Sequence, residues 1–382
     1  MIKSSRRYSL YLLGLFVGQS VFFSGINSVI DPYGILNSPT IVGINKIKPE
    51  KHKQVRLFKA IAISRIKPKM IFLGSSRTEF GLDPDHPILQ EFQPAYNLAI
   101  PSANMYEVRR YLEHAIANNQ LQQVVLGIDF FMFNTFLENT PDFNDNRLEK
   151  NKITIQDTIN SIYSIDVLLA SIQTVRHNTK NPNGLDYFYP NGSRTENRDI
   201  IFGNQPMIQI VKTGLQENTF LKKQNPQKKY QISTKYLKEL QNIVNLCDQH
   251  NINLKIFISP SHATHWESIR VGGFWPLFEQ WKRELVKIYP IWDFSGYNQI
   301  TTEPISNDMK NYLDSSHYNK KIGDLVLKRI FQYNEEKLPG DFGVMITPEN
   351  IESHLKLIQQ NRAEWAKNNP DMVEFVKKLK QK

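Results

Sequence analysis

Cysteine is almost absent from this sequence: Cys247 is the single example in 382 residues. A disulfide within the chain is therefore impossible, and no cysteine spacing of the zinc-finger kind can occur. Apolar residues precede Cys247 at helical spacing, at Tyr236, Leu240 and Ile243. This pattern predicts a thiol buried on an apolar helix face, which argues against a catalytic thiol.

Markers of nucleic-acid binding are also missing, although the formal charge is +10. No helix-turn-helix pattern or aromatic-rich RNA signature accompanies the excess of cations, so we expect no nucleic-acid partner. The densest basic stretch runs from Lys46 to Lys69, with nine Lys and Arg residues against one acid. It is suited to phosphate or lipid headgroups, but most charge runs form solvated surfaces, and we favour that interpretation.

Charge is wholly missing from Tyr8 to Ile30, a run of 23 residues. A helix of that length, at about 1.5 Å per residue, just crosses a hydrocarbon core of roughly 30 Å. Its most apolar part, residues 8–23, also fits the apolar region of a secretory signal. No small-residue cleavage site follows, so we favour an uncleaved anchor. The third alternative, a buried core helix, is disfavoured by the N-terminal position and the basic flank.

The cations around this segment predict its orientation. Lys3, Arg6 and Arg7 precede it, and the next cation is Lys46. Positively charged residues are retained on the cytoplasmic side of a membrane. We therefore expect the N-terminus in the cytoplasm and the rest of the chain outside it, either periplasmic or on the cell surface.

Short apolar runs alternate with helical patterns in the remainder of the chain. The runs lie at residues 70–73, 96–100, 124–128, 254–258 and 291–294. Continuous apolar strands between amphipathic helices are typical of a parallel sheet that is covered on both faces. The sequence therefore predicts an α/β fold, a three-layer α/β/α sandwich with a mostly parallel, flavodoxin-like sheet.

The expected domain boundaries follow from where this alternation starts and stops. Residues 1–36 are the anchor or signal segment, and residues 37–335 are the α/β domain. The interval from Phe130 to Asn251 is far longer than a crossover connection needs, so it holds an insertion at about residues 135–230. Residues 336–382 are predicted to form a helical C-terminal tail.

Polar residues follow the predicted strands, at the edge where open α/β sheets bind their ligands. Gly74-Ser75-Ser76 follows the first strand, and Ser102 follows the second. Asp129 follows the third strand and His262 the fourth. These positions are candidates for a site because loops from neighbouring parallel strands converge at one edge.

An Asp-x-x-His motif, Asp314 to His317, stands just before the last helix of the domain. A serine hydroxyl becomes a nucleophile when an imidazole takes its proton, and the imidazole needs a carboxylate to hold its tautomer. Taken singly, a serine after a strand is usually a helix cap, and Asp-x-x-His is usually surface decoration. Their joint occurrence at the first strand exit and before the last helix favours a catalytic site.

The order of these motifs resembles the four sequence blocks of the SGNH (GDSL-like) hydrolases. The resemblance spans residues 65–335 and is carried by Gly74-Ser75-Ser76, Asn97 to Asn104, Gly127-Ile128-Asp129 and Asp314 to His317. It implies a triad in which Ser76 is the nucleophile, His317 the general base and Asp314 the residue that orients the base. The Ser76 amide would be one oxyanion donor, and we expect neither a cofactor nor a metal.

Two positions depart from the family pattern. The glycine of the second block aligns with Ser102, which still offers a backbone N–H. The asparagine of the third block aligns with Asp129, and an ionised carboxylate accepts hydrogen bonds but donates none. Losing one oxyanion donor typically costs about 3 kcal/mol of transition-state stabilisation. The alternatives are a slower enzyme, a different donor, a different reaction, or a role for Asp129 in orienting a loop or the substrate.

In its Gly-Ser-Ser-Arg motif and N-terminal anchor, the chain also resembles the membrane-tethered branch of this superfamily. Members of that branch include the D-alanyl transfer protein of teichoic acid synthesis and the alginate-type O-acetyltransferases. The resemblance implies extracytoplasmic acyl transfer or ester hydrolysis on a cell-envelope polysaccharide, with a membrane-bound O-acyltransferase as partner. Two alternatives stay open. One is a plain esterase acting on small or lipid esters, and the other is a catalytically inactive scaffold or binding protein of an envelope-polymer complex.

Arg77, His262 and His265 complete the set of candidates. Arg77 is suited either to hold a carboxylate or phosphate of the substrate or to pair with Glu79. No second pair of ligands accompanies His262 and His265, so a metal site is disfavoured. For His262, which follows a strand, substrate contact is a better hypothesis than metal binding, with simple loop polarity as the alternative.

Overall fold

The computed structural model describes residues 2–149, 159, 162–217, 220–222 and 229–380 of the chain. Within them the chain forms two compact units. Unit 1 comprises Met1–Arg65 and Asn144–Tyr189, and unit 2 comprises Ile66–Phe143 and Pro190–Lys382.

Helices and strands are numbered in chain order over the described residues. The helices are α1 (Ile2–Ile30), α2 (Val55–Ile66), α3 (Ser76–Gly81), α4 (Met105–Asn118), α5 (Asp145–Leu148), α6 (Ile165–Lys180), α7 (Arg198–Phe202), α8 (Met207–Glu217), α9 (Thr234–Gln249), α10 (Ala263–Gly272), α11 (Trp275–Ile288), α12 (Lys320–Ile330), α13 (Ile351–Asn368) and α14 (Pro370–Lys380). The strands are β1 (Met70–Leu73), β2 (Ala95–Asn97), β3 (Gln123–Ile128), β4 (Asn253–Ile258), β5 (Ile291–Asp293) and β6 (Val344–Ile346).

Helix α1 contains the apolar segment that the sequence predicts. Over Tyr8–Ile30 its mean hydropathy is 1.6, and among the described residues it is the one helix long and apolar enough to cross a membrane. The prediction of an N-terminal apolar helix is therefore confirmed. A signal sequence has similar length and composition, so the choice of an uncleaved anchor stays a prediction.

Unit 2 is built on a six-stranded sheet with the order β2-β1-β3-β4-β5-β6. Strands β1 to β5 run parallel, and β6 pairs antiparallel with β5. The parallel part has the strand order 2-1-3-4-5 of flavodoxin-like sheets. Every residue of β1 and β3 is buried, as expected for central strands covered on both faces. The predicted α/β fold with a mostly parallel sheet is confirmed.

Helices cover both faces of this sheet. On one face, Met70, Phe72 and Val125 join a core that includes residues of α8, α12 and α14. Successive strand residues point to opposite faces, so the equally buried Ile71 and Val124 point to the other face. That face is covered by α4, α9 and α11, of which α4 packs on α9 and α9 on α11.

The unit boundaries differ from the domain boundaries expected from the sequence. Residues 37–65 and 144–189 belong with α1 to unit 1 rather than to the α/β domain. Residues 344–346 form β6 and extend the sheet, so the C-terminal segment is part of unit 2 and not a separate helical tail. A three-residue edge strand carries too little pattern to be recognised between helical stretches.

Helices α3 and α12 approach each other at two glycines. A Cβ on Gly323 would lie 1.7 Å from the carbonyl oxygen of Gly81, and a Cβ on Gly81 would lie 1.9 Å from the ring of Tyr318. Neither position accommodates a side chain, so these glycines set the distance between the helices. Because α3 begins at Ser76 and α12 follows His317 closely, the contact also brings those two residues towards each other.

Replacing Gly323 by Ala should destabilise the protein. Alanine is intrinsically favoured over glycine in a helix by about 1 kcal/mol. Overpacking typically costs about 1–3 kcal/mol. Here the added methyl group would meet backbone rather than a flexible side chain, so we expect this cost to exceed the gain in helix propensity. The measurement is the Tm of the full chain. The matched control is Gly340→Ala, because a Cβ there meets nothing within 4 Å; an unchanged or raised Tm for Gly323→Ala would contradict the contact.

Candidate active site

Ser76 stands at the carboxyl end of β1, where the chain turns into α3. Gly74 has a φ of +144°, which favours glycine, and a Cβ on it would lie 2.6 Å from the carbonyl oxygen of Gly127. Ser75 is the N-cap of α3, and its hydroxyl oxygen accepts a hydrogen bond from the Arg77 N–H at 3.2 Å. The two serines therefore have different tasks: Ser75 starts the helix, and Ser76 occupies its first position, partly exposed.

Asp314 and His317 lie in the loop before α12. Asp314 Oδ1 accepts hydrogen bonds from the backbone N–H groups of Ser316, at 2.6 Å, and His317, at 2.8 Å. Asp314 Oδ2 lies 2.7 Å from His317 Nδ1. Burial raises the pKa of Asp314, but the adjacent His317 ring and the backbone donors outweigh burial and hold this pKa below its usual range. The carboxylate is therefore ionised at neutral pH.

The imidazole of His317 connects the serine to this carboxylate. Its Nε2 is 2.8 Å from Ser76 Oγ, across 241 residues of sequence. Because the ionised Asp314 accepts a hydrogen bond from Nδ1–H, Nε2 is the bare nitrogen that accepts from the Ser76 hydroxyl. The Phe80 ring packs edge-on against the imidazole, with 5.2 Å between ring centroids. The structure thus brings Ser76, His317 and Asp314 into one hydrogen-bonded chain.

Asp129 follows β3 and contacts the start of α3. Its Oδ2 accepts a hydrogen bond from the Ser75 hydroxyl at 2.5 Å, and its Oδ1 forms an ion pair with Arg77 Nη1 at 2.7 Å. Arg77 Nη2 donates in turn to His265 Nε2 at 3.3 Å. Both carboxylate oxygens of Asp129 are engaged within the protein, and its expected contact with an oxyanion or substrate stays a prediction.

Arg77 pairs with Asp129 rather than with Glu79, the partner that the sequence spacing suggested. Glu79 lies instead near Arg194, with 3.6 Å between Arg194 Nη1 and Glu79 Oε2. The Arg77 guanidinium also lies over the Phe131 ring, 5.4 Å from its centroid. These contacts hold the buried Arg77 side chain inside the protein, so its contact with a substrate anion stays a prediction.

His262 is the buried N-cap residue of α10. Its Nδ1 accepts a hydrogen bond from the Thr264 N–H at 3.2 Å, so Nε2 carries the proton and donates to the carbonyl oxygen of Glu303 at 2.7 Å. Burial lowers the pKa of this imidazole to about 4, so the ring is neutral at physiological pH. Both ring nitrogens serve the fold, and the expected contact with substrate stays a prediction.

His265 is a buried neighbour of the Arg77 guanidinium. Burial, together with the charge of Arg77, holds the pKa of His265 well below its ordinary value. A neutral imidazole can accept the hydrogen bond from Arg77, whereas a protonated ring has no acceptor. Over the described ranges, no group of three or more His, Cys, Asp or Glu side chains is arranged to hold a metal ion.

Ser102 follows β2 in an exposed turn. Its φ is +55°, in the left-handed region that favours glycine. In the part of the chain that the structure describes, neither the Ser102 N–H nor the Ser76 N–H donates a hydrogen bond to another protein atom. These two amides are therefore available as donors to a ligand.

Sequence reasoning missed the network that joins Ser75, Asp129, Arg77 and His265. A local signal existed for Ser75 alone, because a serine directly before Ser-Arg-Thr-Glu is a typical start of a helix. The hydrogen bond between Arg77 and His265 joins residues 188 positions apart, and no local pattern pairs them.

No family model matches the chain, and no curated protein matches it either.

Replacing Asp129 by Asn should destabilise the protein strongly. The substitution keeps an acceptor for the Ser75 hydroxyl but leaves the buried Arg77 guanidinium without its counter-charge. Removing one partner of a buried ion pair typically costs about 3–5 kcal/mol. We expect a loss of this order in the free energy of unfolding, measured by denaturant titration.

Two further variants make this test specific. The double variant Arg77→Met, Asp129→Asn should lose less unfolding free energy than the two single variants lose together, because no charge is then buried without a partner. Asp308→Asn, at an exposed aspartate, should change stability by no more than about 0.5 kcal/mol. Strict additivity of Arg77→Met and Asp129→Asn would show that the two side chains are not coupled.

The burial of His262 predicts a loss of stability in mild acid. Its pKa is about 4 in the folded protein, against an ordinary value of 6.5. Between these values the unfolded chain binds a proton that the folded chain does not, so lowering the pH from 6.5 to 4 favours unfolding. Over this pH interval, His262 should lower the free energy of unfolding by about 3 kcal/mol. The Gln side chain of His262→Gln can still donate a hydrogen bond to Glu303 but does not titrate. The free energy of unfolding of this variant should therefore depend less steeply on pH than that of the parent chain. Parallel pH profiles would show that His262 does not cause the loss of stability.

Proposed function

We propose that unit 2 is a serine enzyme that transfers or hydrolyses an acyl group, with Ser76, His317 and Asp314 as its catalytic triad. The supporting observation is the 2.8 Å approach of Ser76 Oγ to His317 Nε2, with Asp314 Oδ2 at 2.7 Å from the other ring nitrogen. A hydroxyl is a weak nucleophile until a base of this kind takes its proton. In this proposal His317 is that base, and Asp314 is the carboxylate that orients it.

The reaction proceeds in two halves. Ser76 Oγ attacks the ester carbonyl while its proton passes to His317 Nε2, and the Asp314 carboxylate stabilises the resulting imidazolium. The proton then goes to the departing alcohol oxygen, which leaves an acyl group on Ser76. In the second half, water or a sugar hydroxyl gives its proton to His317 Nε2 and attacks the acyl-serine carbonyl. The bond between the acyl carbon and Ser76 Oγ then breaks, and His317 returns the proton to Ser76 Oγ. Hydrolysis and transfer differ only in this acceptor.

The negative charge on the attacked carbonyl oxygen needs hydrogen-bond donors. The Ser76 and Ser102 N–H groups are the donors in this proposal, since neither is used by the described protein atoms. The resemblance to SGNH hydrolases supports this choice, because their second-block glycine aligns with Ser102, whose φ of +55° suits glycine. Asp129 acts on the start of α3, through Ser75 and Arg77, instead of on the substrate.

The proposed substrate is an acylated cell-envelope polysaccharide or a related polymer. This part of the proposal depends on the resemblance to the membrane-tethered SGNH branch and on the apolar Tyr8–Ile30 helix. The cations before that helix favour a cytoplasmic N-terminus, which puts unit 2 outside the cytoplasm. A membrane-bound O-acyltransferase is the proposed partner that supplies the acyl group.

A second candidate is a binding protein without catalytic activity. The observation in its favour is Asp129, which offers no hydrogen-bond donor and has both oxygens engaged by Ser75 and Arg77. Covalent labelling of the nucleophile distinguishes the two candidates, because a binding protein has no need of an activated serine.

The full chain should react with a fluorophosphonate probe at Ser76, as mapped by peptide mass spectrometry. Ser76→Ala should lose the label completely, and His317→Ala should react at least about a hundredfold more slowly because the base is gone. Neither variant should change Tm appreciably, since Ser76 and His317 are only partly buried.

Matched controls separate this result from general damage. Ser353→Ala and His250→Ala alter an exposed serine and an exposed histidine elsewhere in unit 2, and both should label as the parent chain does. Labelling that persists in Ser76→Ala, or a His317→Ala rate within a few-fold of the parent, would overturn the triad. A comparison of the turnover rates on acetylated oligosaccharide and on a short-chain ester then distinguishes a polysaccharide enzyme from a plain esterase.

A further inference from the structure

The last turns of α1 pack against α6 within unit 1. Asn27 and Ile30 lie on the buried side of α1. Asn27 Nδ2 donates to the carbonyl oxygen of Ile162 at 2.7 Å, and Asn27 Oδ1 accepts from the Ser171 hydroxyl at 2.8 Å. A polar side chain inside an apolar span needs partners of this kind. Helix α6 therefore lies beside the C-terminal end of the Tyr8–Ile30 segment.

Helix α6 carries an exposed stripe that changes from apolar to basic along its length. Ile165, Leu169 and Ile172 are 77%, 55% and 38% exposed. Arg176 and Lys180 continue the stripe and are also exposed. Steps of three and four residues put all five side chains on one side of the helix. We call these five residues the α6 stripe.

We propose that the α6 stripe docks on the lipid surface around α1. Ile165 and Leu169 enter the acyl region, Ile172 lies at its boundary, and Arg176 and Lys180 reach the phosphate headgroups. This inference rests on the membrane anchoring proposed above and adds a second membrane contact to it.

Two observations make lipid the occupant. First, the stripe is continuous with the candidate span: exposed Phe22, Phe23 and Val29 lie within two helical turns of Asn27, which contacts Ser171 of α6. Second, the order of side chains matches the polarity of a leaflet, with the apolar residues at one end of α6 and the two cations at the other. Helices that lie in a membrane interface combine apolar burial with attraction of Lys and Arg to phosphate in this way.

Depth-dependent quenching tests the proposal in the full chain. Ile165→Cys, Leu169→Cys and Lys180→Cys are each labelled with a bimane fluorophore and reconstituted into vesicles of phosphatidylcholine and phosphatidylglycerol. Native Cys247 is buried, and burial raises its pKa to about 12, so it does not compete for the thiol reagent. Exchange of the phosphatidylcholine for its acyl-chain-brominated form should cause a loss of emission at positions 165 and 169 and leave position 180 unchanged.

The outcomes are distinct. Quenching at 165 and 169 but not at 180 supports the docking and its direction. Blue-shifted emission at 165 and 169 without quenching means that protein, such as a second copy or a membrane partner, covers the stripe, and overturns the lipid assignment. If the chain does not float with the vesicles, it is not anchored in the membrane, and this inference is overturned as well. Fluorophosphonate labelling of Ser76 is independent of all three results.

Discussion

The contact between Gly81 and Gly323 holds the candidate site together. The backbone of Gly81 in α3 occupies the space that a side chain at Gly323 in α12 would need. This close packing brings Ser76, at the start of α3, near His317, just before α12. Asn97 supports α3 from β2, because its Nδ2 donates to the carbonyl oxygens of Thr78 and Leu82 at 3.0 Å each. A helix of six residues has little stability of its own, so its position is determined by these neighbours.

Two aspartates near Ser76 have different partners. Asp314 faces the partly exposed His317, the general base of the proposed mechanism. Asp129 faces Arg77, whose charge is permanent, in a site from which solvent is excluded. The neutral ring of His265 accepts from the same guanidinium without adding a competing charge. The buried Asp129–Arg77 pair fixes the start of α3, and the Asp314–His317 pair is the one that the proposed mechanism uses for proton transfer.

The sheet and the local Asp314–His317 motif could be predicted from the sequence, whereas the network around Asp129 and Arg77 could not. Residues 70–73 and 124–128 appear as unbroken apolar runs because both of their faces are covered, and Asp314 and His317 form a local motif. The partner of Arg77 depends on β3 lying next to β1, which packing decides and local pattern does not. In the same way, no local pattern indicates that α1 packs against α6, which begins more than a hundred residues later.

The long sequence separation between Ser76 and His317 has a consequence for biosynthesis. Ser76 is made 241 residues before His317, and translation at about 5–20 residues per second spends roughly ten to fifty seconds on that interval. A nascent chain therefore carries an unactivated hydroxyl until almost the whole of unit 2 has left the ribosome. For the acyl transfer proposed above, this order means that an unfinished polypeptide offers Ser76 without its base.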